Sequence, residues 1–266
     1  MQTTPHADAD RLLESLLVRM QGILREKLVG LYLYGSLTTG DFDPGISDVD
    51  LLAALASELG DTELESLRAM HGDIERDEPE WADRVEVAYV SLRALRTFRS
   101  ERSPIAVISP GEPFHGKDAG SDWLANWYAV REEGRALFGP PAATLIAPIS
   151  QEEFAGCIRG YAAAWGDRIH GVRERKEQAY AILTMCRALH LHCRGERASK
   201  REAARWAQEE LPRWSGLIRS ALAWRRACRE EAVDHAATRA ETVSFVQFVR
   251  DRILVSPPIG SFDRPV

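Results

Sequence analysis

VGLYLYGSLTTGDFDPGISDVDLLAAL, residues 29–55, is the stretch on which the fold turns. Its first residues are apolar, β-branched or aromatic and stop at Gly35, the pattern of a short buried strand. Residues 36–47 are rich in Gly, Asp, Ser and Thr with one Pro, the composition of a loop. Residues 48–55 alternate at first and then turn apolar, which reads as a second strand. Asp48 and Asp50 stand two apart at its start, so both carboxylates face the same way.

Upstream, residues 8–28 place Leu12, Leu13, Leu16, Leu17, Met20, Ile23 and Leu24 at helical spacing, with Asp8 or Asp10 as the expected cap. Downstream, residues 58–77 read as a helix and VEVAYVS (85–91) as a third strand. Pro and Gly clustered at 103–120 predict an irregular loop, and WLANWYAVREEGRALFG (123–139) a helix stopping at Gly139. From Gln151 to about Leu254 only helical periods occur, with breaks near Gly171, Gly195 and Pro212. Ser150 followed by Glu153 is a helix-start signature. The expected division is an α/β part over 1–145, a helical part over 146–255 and a tail over 256–266.

The chain has 266 residues, of which 45% are hydrophobic and 28% charged, an ordinary globular composition that excludes collagen, a rod and wholesale disorder. No apolar run reaches the roughly 20 residues that cross a bilayer. The first residues lack a basic stretch followed by an apolar one, so no signal peptide and a cytoplasmic location are expected. Cys157, Cys186, Cys193 and Cys228 have no ribbon or redox spacing, as in a reduced protein. Cys186, His190 and Cys193 could share a helical face with His192 near, but a closed zinc site needs a fourth ligand, and a packed helix is the preferred reading. Tryptophans 123, 127, 165, 206, 214 and 224 are read as packing residues rather than sugar platforms.

Charge is divided unevenly. Residues 1–150 hold 25 acidic and 14 basic side chains, and the remainder 15 and 20, for a net of −6. That split argues against a nucleic-acid binder, whose footprint would be basic overall, and no basic track with interleaved aromatics appears. It suits a site with a cation on one wall and phosphates on the other.

The residues that carry chemistry are Gly35-Ser36, Asp48, Asp50 and Glu86. Glu86 lies between Val85 and Val87 on a strand, where a carboxylate needs a partner. Three converging carboxylates repel one another unless a cation sits among them, and Mg²⁺, a hard ion that bridges phosphates, is the natural one. Glycine lets backbone approach a ligand, Ser36 adds a hydroxyl, and the N–H groups of the turn can cradle a triphosphate. Glu86 could then serve as a general base on an attacking hydroxyl or as a further ligand.

At LYLYGS (31–36) and SDVDLL (47–52) the sequence resembles the nucleotidyltransferase signature of DNA polymerase β-like enzymes. It is similar more closely to the aminoglycoside (streptomycin/spectinomycin) adenylyltransferases. VEVAYV (85–90), ALFGPPA (136–142), ILTMCRAL (182–189), RASKREAARWAQEELP (197–212) and ETVSFVQFVRDRI (241–253) resemble further stretches of them. The resemblance implies an α+β fold: an N-terminal nucleotidyltransferase domain, a small mixed sheet with helices, and a C-terminal α-helical bundle.

It also implies transfer of AMP from ATP to a drug hydroxyl, an antibiotic-resistance activity. By resemblance Asp48 and Asp50 bind Mg²⁺ and Glu86 is the catalytic base. Arg187 and Lys200 match positions that touch the ATP phosphates, while Glu177, and Glu86 again, fall on the acceptor side. ATP and a small antibiotic acceptor are the expected partners, and a monomer the expected state. The loop from Ser36 to Asp48 is one residue longer than the family spacing. The stretch WGDRIHGVRERKEQAY (165–180) is basic and lacks a second Trp, and none stands near Pro113. Spectinomycin is therefore expected over streptomycin. The alternatives are another acceptor (a lincosamide, a protein hydroxyl or a metabolite) or a non-catalytic nucleotide-binding regulator.

Overall fold

The computed structural model describes residues 3–226 and 236–255. Cys228 and the expected tail lie outside the described residues. The chain forms two compact units, residues 1–149 and 150–266.

The first unit is built on one six-stranded sheet. Helix α1 (Ala7–Leu24) leads into strand β1 (Leu28–Tyr34), a one-turn helix α2 (Ser36–Thr39) and strand β2 (Val49–Leu55). Helix α3 (Asp61–Asp77) crosses to β3 (Val85–Ser91), which runs parallel to β2, as such a crossover requires. A short helix α4 (Leu92–Thr97) precedes β4 (Ser103–Ser109) and β5 (Glu112–Ala119). Helix α5 (Leu124–Glu133) and strand β6 (Arg135–Phe138) complete the unit. The strand order is β5-β4-β3-β2-β1-β6 and every pair except β2–β3 is antiparallel, so the sheet is mixed.

Alternation divides the sheet into two faces. Leu31 and Leu33 of β1, Val49, Leu51 and Ala53 of β2, and Val87 and Tyr89 of β3 share one core with Leu12, Leu16 and Met20 of α1 and Leu67, Met70 and Ile74 of α3. The residues between them, Tyr34, Asp50 and Glu86 among others, therefore point to the opposite face.

Three expectations for this unit are corrected. Residues 103–120 are a hairpin, not a loop. Pro104 lies past the end of the β3 pairing, β5 is an edge strand that tolerates Pro113, and Gly111 turns the chain at a φ of +75°. Residues 123–139 are not one helix: α5 ends at Gly134 and residues 135–138 pair with β1. Neither Asp8 nor Asp10 caps α1. Its N-cap is His6, and Asp10 reaches back to accept the N–H groups of Thr3 and Thr4 at 3.0 and 2.8 Å.

The second unit is helical throughout its described residues: α6 (Gln151–Arg168), α7 (Arg175–Arg194), α8 (Lys200–Glu210), α9 (Ser215–Arg226) and α10 (Arg239–Val255). Ser150 and Glu153 form the expected capping box, and Ser199 with Glu202 forms another. Gly195 ends α7 in the left-handed conformation. Its core gathers Trp165, Leu183, Cys186, Leu189, Trp214, Ile218 and Phe245. Trp206 and Trp224 pack against that core and Trp127 is buried in the first unit, a packing role for each.

Candidate active site

The sheet pairing assembles the N-terminal site. Tyr34 is the register partner of Asp50 across β1–β2, and Asp50 the partner of Glu86 across β2–β3. The three residues form one row on the face opposite α1 and α3. Asp48 precedes β2 by one residue, and Asp48, Asp50 and Glu86 are all half-buried.

Gly35 follows β1 directly, with φ +75° and ψ −144°, a conformation essentially reserved for glycine. It has a second reason to lack a side chain. The Asp50 carboxylate lies over its Cα, so a Cβ there would stand 2.8 Å from Asp50 Cγ and collide with Oδ2. The Gly35 carbonyl accepts the N–H groups of Thr38 and Thr39, both at 3.2 Å, and the Thr38 hydroxyl at 2.9 Å. This anchors the turn on which half-buried Ser36 stands.

Around the row lies a polar relay that sequence reading did not single out. The buried Tyr34 hydroxyl donates to Glu86 Oε1 at 3.4 Å, and Asn126 Nδ2 of α5 donates to that hydroxyl at 3.5 Å. Burial, and then the charges of Glu86 and Asp50, hold the Tyr34 phenol well above its ordinary value, so it stays protonated and able to donate. The missed signal was the strand register, which puts Tyr34 beside Asp50 only once β1 and β2 are paired.

The donor set is of hard oxygen atoms, the chemistry of a Mg²⁺ site. Among the described residues no group of three or more His, Cys, Asp or Glu side chains is placed to hold a metal ion, so the expected convergence of Asp48, Asp50 and Glu86 on one cation is not seen. Asp48 and Asp50 are the carboxylates that would hold such an ion. Cys186 is fully buried, which pushes its thiol up, and His190 bonds the Glu196 carbonyl at 3.0 Å beside Trp206.

In the second unit, Lys200 opens α8 with its Nζ 5.5 Å from the centre of the Tyr180 ring, and Arg187 of α7 lies near enough to act on the same phenol. Tyr180 is 46% exposed, so this is a cationic patch with an aromatic floor. Glu177 sits in the first turn of α7. Its Oε2 accepts the N–H groups of Arg173 and Glu174 at 2.8 and 3.0 Å, which holds its carboxyl below the ordinary range. It is thus first of all a helix-capping residue.

A family model described as the nucleotidyltransferase domain matches residues 17–104, the segment holding Gly35, Ser36, Asp48, Asp50 and Glu86. A second, the C-terminal domain of aminoglycoside adenylyltransferase, matches residues 144–252, which hold Glu177, Arg187 and Lys200. Among solved structures, that of spectinomycin adenyltransferase AAD(9) from Enterococcus faecialis with ATP and spectinomycin is similar in fold. Its TM-score is 0.74 at 15% identity, over 92% of this chain and 99% of that one. No curated protein matches. Sheet, signature and matched domains define an enzyme of the nucleotidyltransferase class. Within that class, the match over residues 144–252 and the nucleotidyltransferase match over 17–104 together support the aminoglycoside adenylyltransferase family. No helix among the described residues is long and apolar enough to cross a membrane.

Proposed function

We propose that the protein transfers AMP from MgATP to a hydroxyl of an aminoglycoside or aminocyclitol antibiotic, with spectinomycin preferred to streptomycin. The observation that carries this reading is the row Tyr34–Asp50–Glu86 beside Asp48 and the Gly35 turn, in a chain that both family models match. The solved AAD(9) structure holds ATP and spectinomycin, which supports the same pairing of substrates here.

Each residue has a role in that reaction. Asp48 and Asp50 hold the ion, and the Gly35–Ser36 turn receives the triphosphate. When bound, Mg²⁺ neutralises phosphate charge and sharpens the electrophilicity of the α-phosphorus. Glu86 orients the acceptor hydroxyl and takes its proton as the oxygen bonds to the α-phosphorus. The bond from that phosphorus to the bridging oxygen breaks, and pyrophosphate leaves. Arg187 and Lys200 stabilise the phosphate charge, for which Lys200 over the Tyr180 ring, with Arg187 near the same phenol, is suited. The Glu177 oxygen not used in capping offers a carboxylate to a cationic acceptor.

The test is an acceptor panel of spectinomycin, streptomycin, other aminoglycosides and lincosamides, incubated with MgATP and scored by product mass. The expected result is an AMP adduct on spectinomycin with release of pyrophosphate. An adduct only on a lincosamide, or no turnover with any acceptor, overturns the proposal.

A further inference from the structure

We infer that Tyr34 and Asn126 are positioning residues that fix the Glu86 carboxylate for proton abstraction, through a relay from the α5 amide to the β1 hydroxyl to the β3 carboxylate. The inference rests on the reading of Glu86 as the base.

Hydrogen-bond bookkeeping gives the relay one direction. A tyrosine hydroxyl has a single proton. If Tyr34 gives it to Glu86 Oε1, its oxygen can only accept from Asn126, so the amide must present its NH₂. An ionised carboxylate cannot donate, so the chain of bonds runs only from Asn126 towards Glu86.

The relay also solves a problem of the site. A glutamate has three rotatable bonds, and Glu86 stands beside the Asp50 carboxylate in the same register row. Like charges push such a side chain away unless something holds it. Tyr34 is 7% exposed and closes the row on the β1 side, where its hydroxyl meets Asn126 of α5. Holding Oε1 fixes the orientation of the carboxylate that is to meet an acceptor hydroxyl. The contacts of 3.4 and 3.5 Å are long, and contacts of this kind shorten when a substrate is bound. Tyr34 and Asn126 touch neither nucleotide nor acceptor in this scheme, so they act through Glu86. Asn126 also lies beyond the matched nucleotidyltransferase segment, which ends at residue 104.

The experiment compares Tyr34→Phe, Asn126→Ala and Glu86→Gln in the full chain, with thermal unfolding confirming that each is folded. ATP affinity is measured by calorimetry and turnover by pyrophosphate release with the acceptor found above. Tyr34→Phe and Asn126→Ala should each lower kcat roughly ten- to a hundredfold with the ATP dissociation constant unchanged. Adding Tyr34→Phe to Glu86→Gln should cost nothing further. Asn126→Gln and Asn126→Asp separate geometry from chemistry: neither should restore full turnover, the first displacing the donor and the second abolishing it. Wild-type kcat in both Tyr34→Phe and Asn126→Ala, with Glu86→Gln inactive, overturns the relay while sparing the base. Full turnover in Glu86→Gln overturns the base reading itself.

Discussion

The Asp50 carboxylate rests against the Cα of Gly35, with no room between them for a methyl group. A loop glycine and a strand aspartate are thus one unit: in the proposed reaction, the turn that would receive the nucleotide also fixes the carboxylate that would hold its ion.

Gly35→Ala should therefore fail twice. It forces an alanine into a glycine-only backbone conformation, at a cost of about 1–3 kcal/mol. It also displaces Asp50. Urea unfolding should show the stability loss, and ATP affinity in the presence of Mg²⁺ should fall even in the folded fraction.

Asp48→Asn and Asp50→Asn should each weaken MgATP binding and remove nearly all turnover, a loss of several kcal/mol of transition-state stabilisation. A magnesium titration followed by pyrophosphate release measures it. Raising Mg²⁺ should partly rescue the single variants and not the double one.

His71 supplies a pH dependence of stability in the first unit. It is buried between Tyr89, whose hydroxyl meets Nε2 at 2.8 Å, and Phe114, and burial pushes its pKa down to about 4. The unfolded chain takes up a proton near pH 6.5, the folded chain only near 4. Stability from this group is thus intact above about pH 6.5 and declines as pH falls towards 4, by about 3 kcal/mol in all. Urea unfolding from pH 7.5 to 4.5 should show a steeper decline in the wild type than in His71→Gln. Parallel slopes would contradict the assignment.

Glu177→Gln separates capping from recognition. Glutamine still accepts the Arg173 and Glu174 N–H groups, so the melting temperature should move little. If the carboxylate also attracts a cationic acceptor, the acceptor KM rises severalfold with the ATP affinity unchanged. An unaltered acceptor KM confines Glu177 to the helix start.

What could be read from the sequence was what composition carries locally. Strands β1, β2 and β3 announce themselves by apolar runs ended by Gly35 or opened by paired aspartates, and Ser150 announces its helix through Glu153. The β4–β5 hairpin was hidden because prolines that disqualify a central strand are tolerated at a sheet margin. Residues 135–138 continue the apolar spacing of α5, and only pairing with β1 makes them a strand. Tyr34 and Asn126 were invisible as partners because they stand 92 residues apart and meet only in the folded sheet.

The sheet's flanks have a consequence for dissecting the enzyme. β1 and β3 are interior strands only because β6 lies outside one and β4 outside the other. A fragment ending at residue 104, where the nucleotidyltransferase match stops, would retain the acidic row yet bare two rows of unsatisfied backbone donors and acceptors. Such a piece should associate through its raw margins and scatter light at concentrations where the full chain stays clear. The length that carries the acidic row and the length that keeps its margins covered are different lengths of this polypeptide.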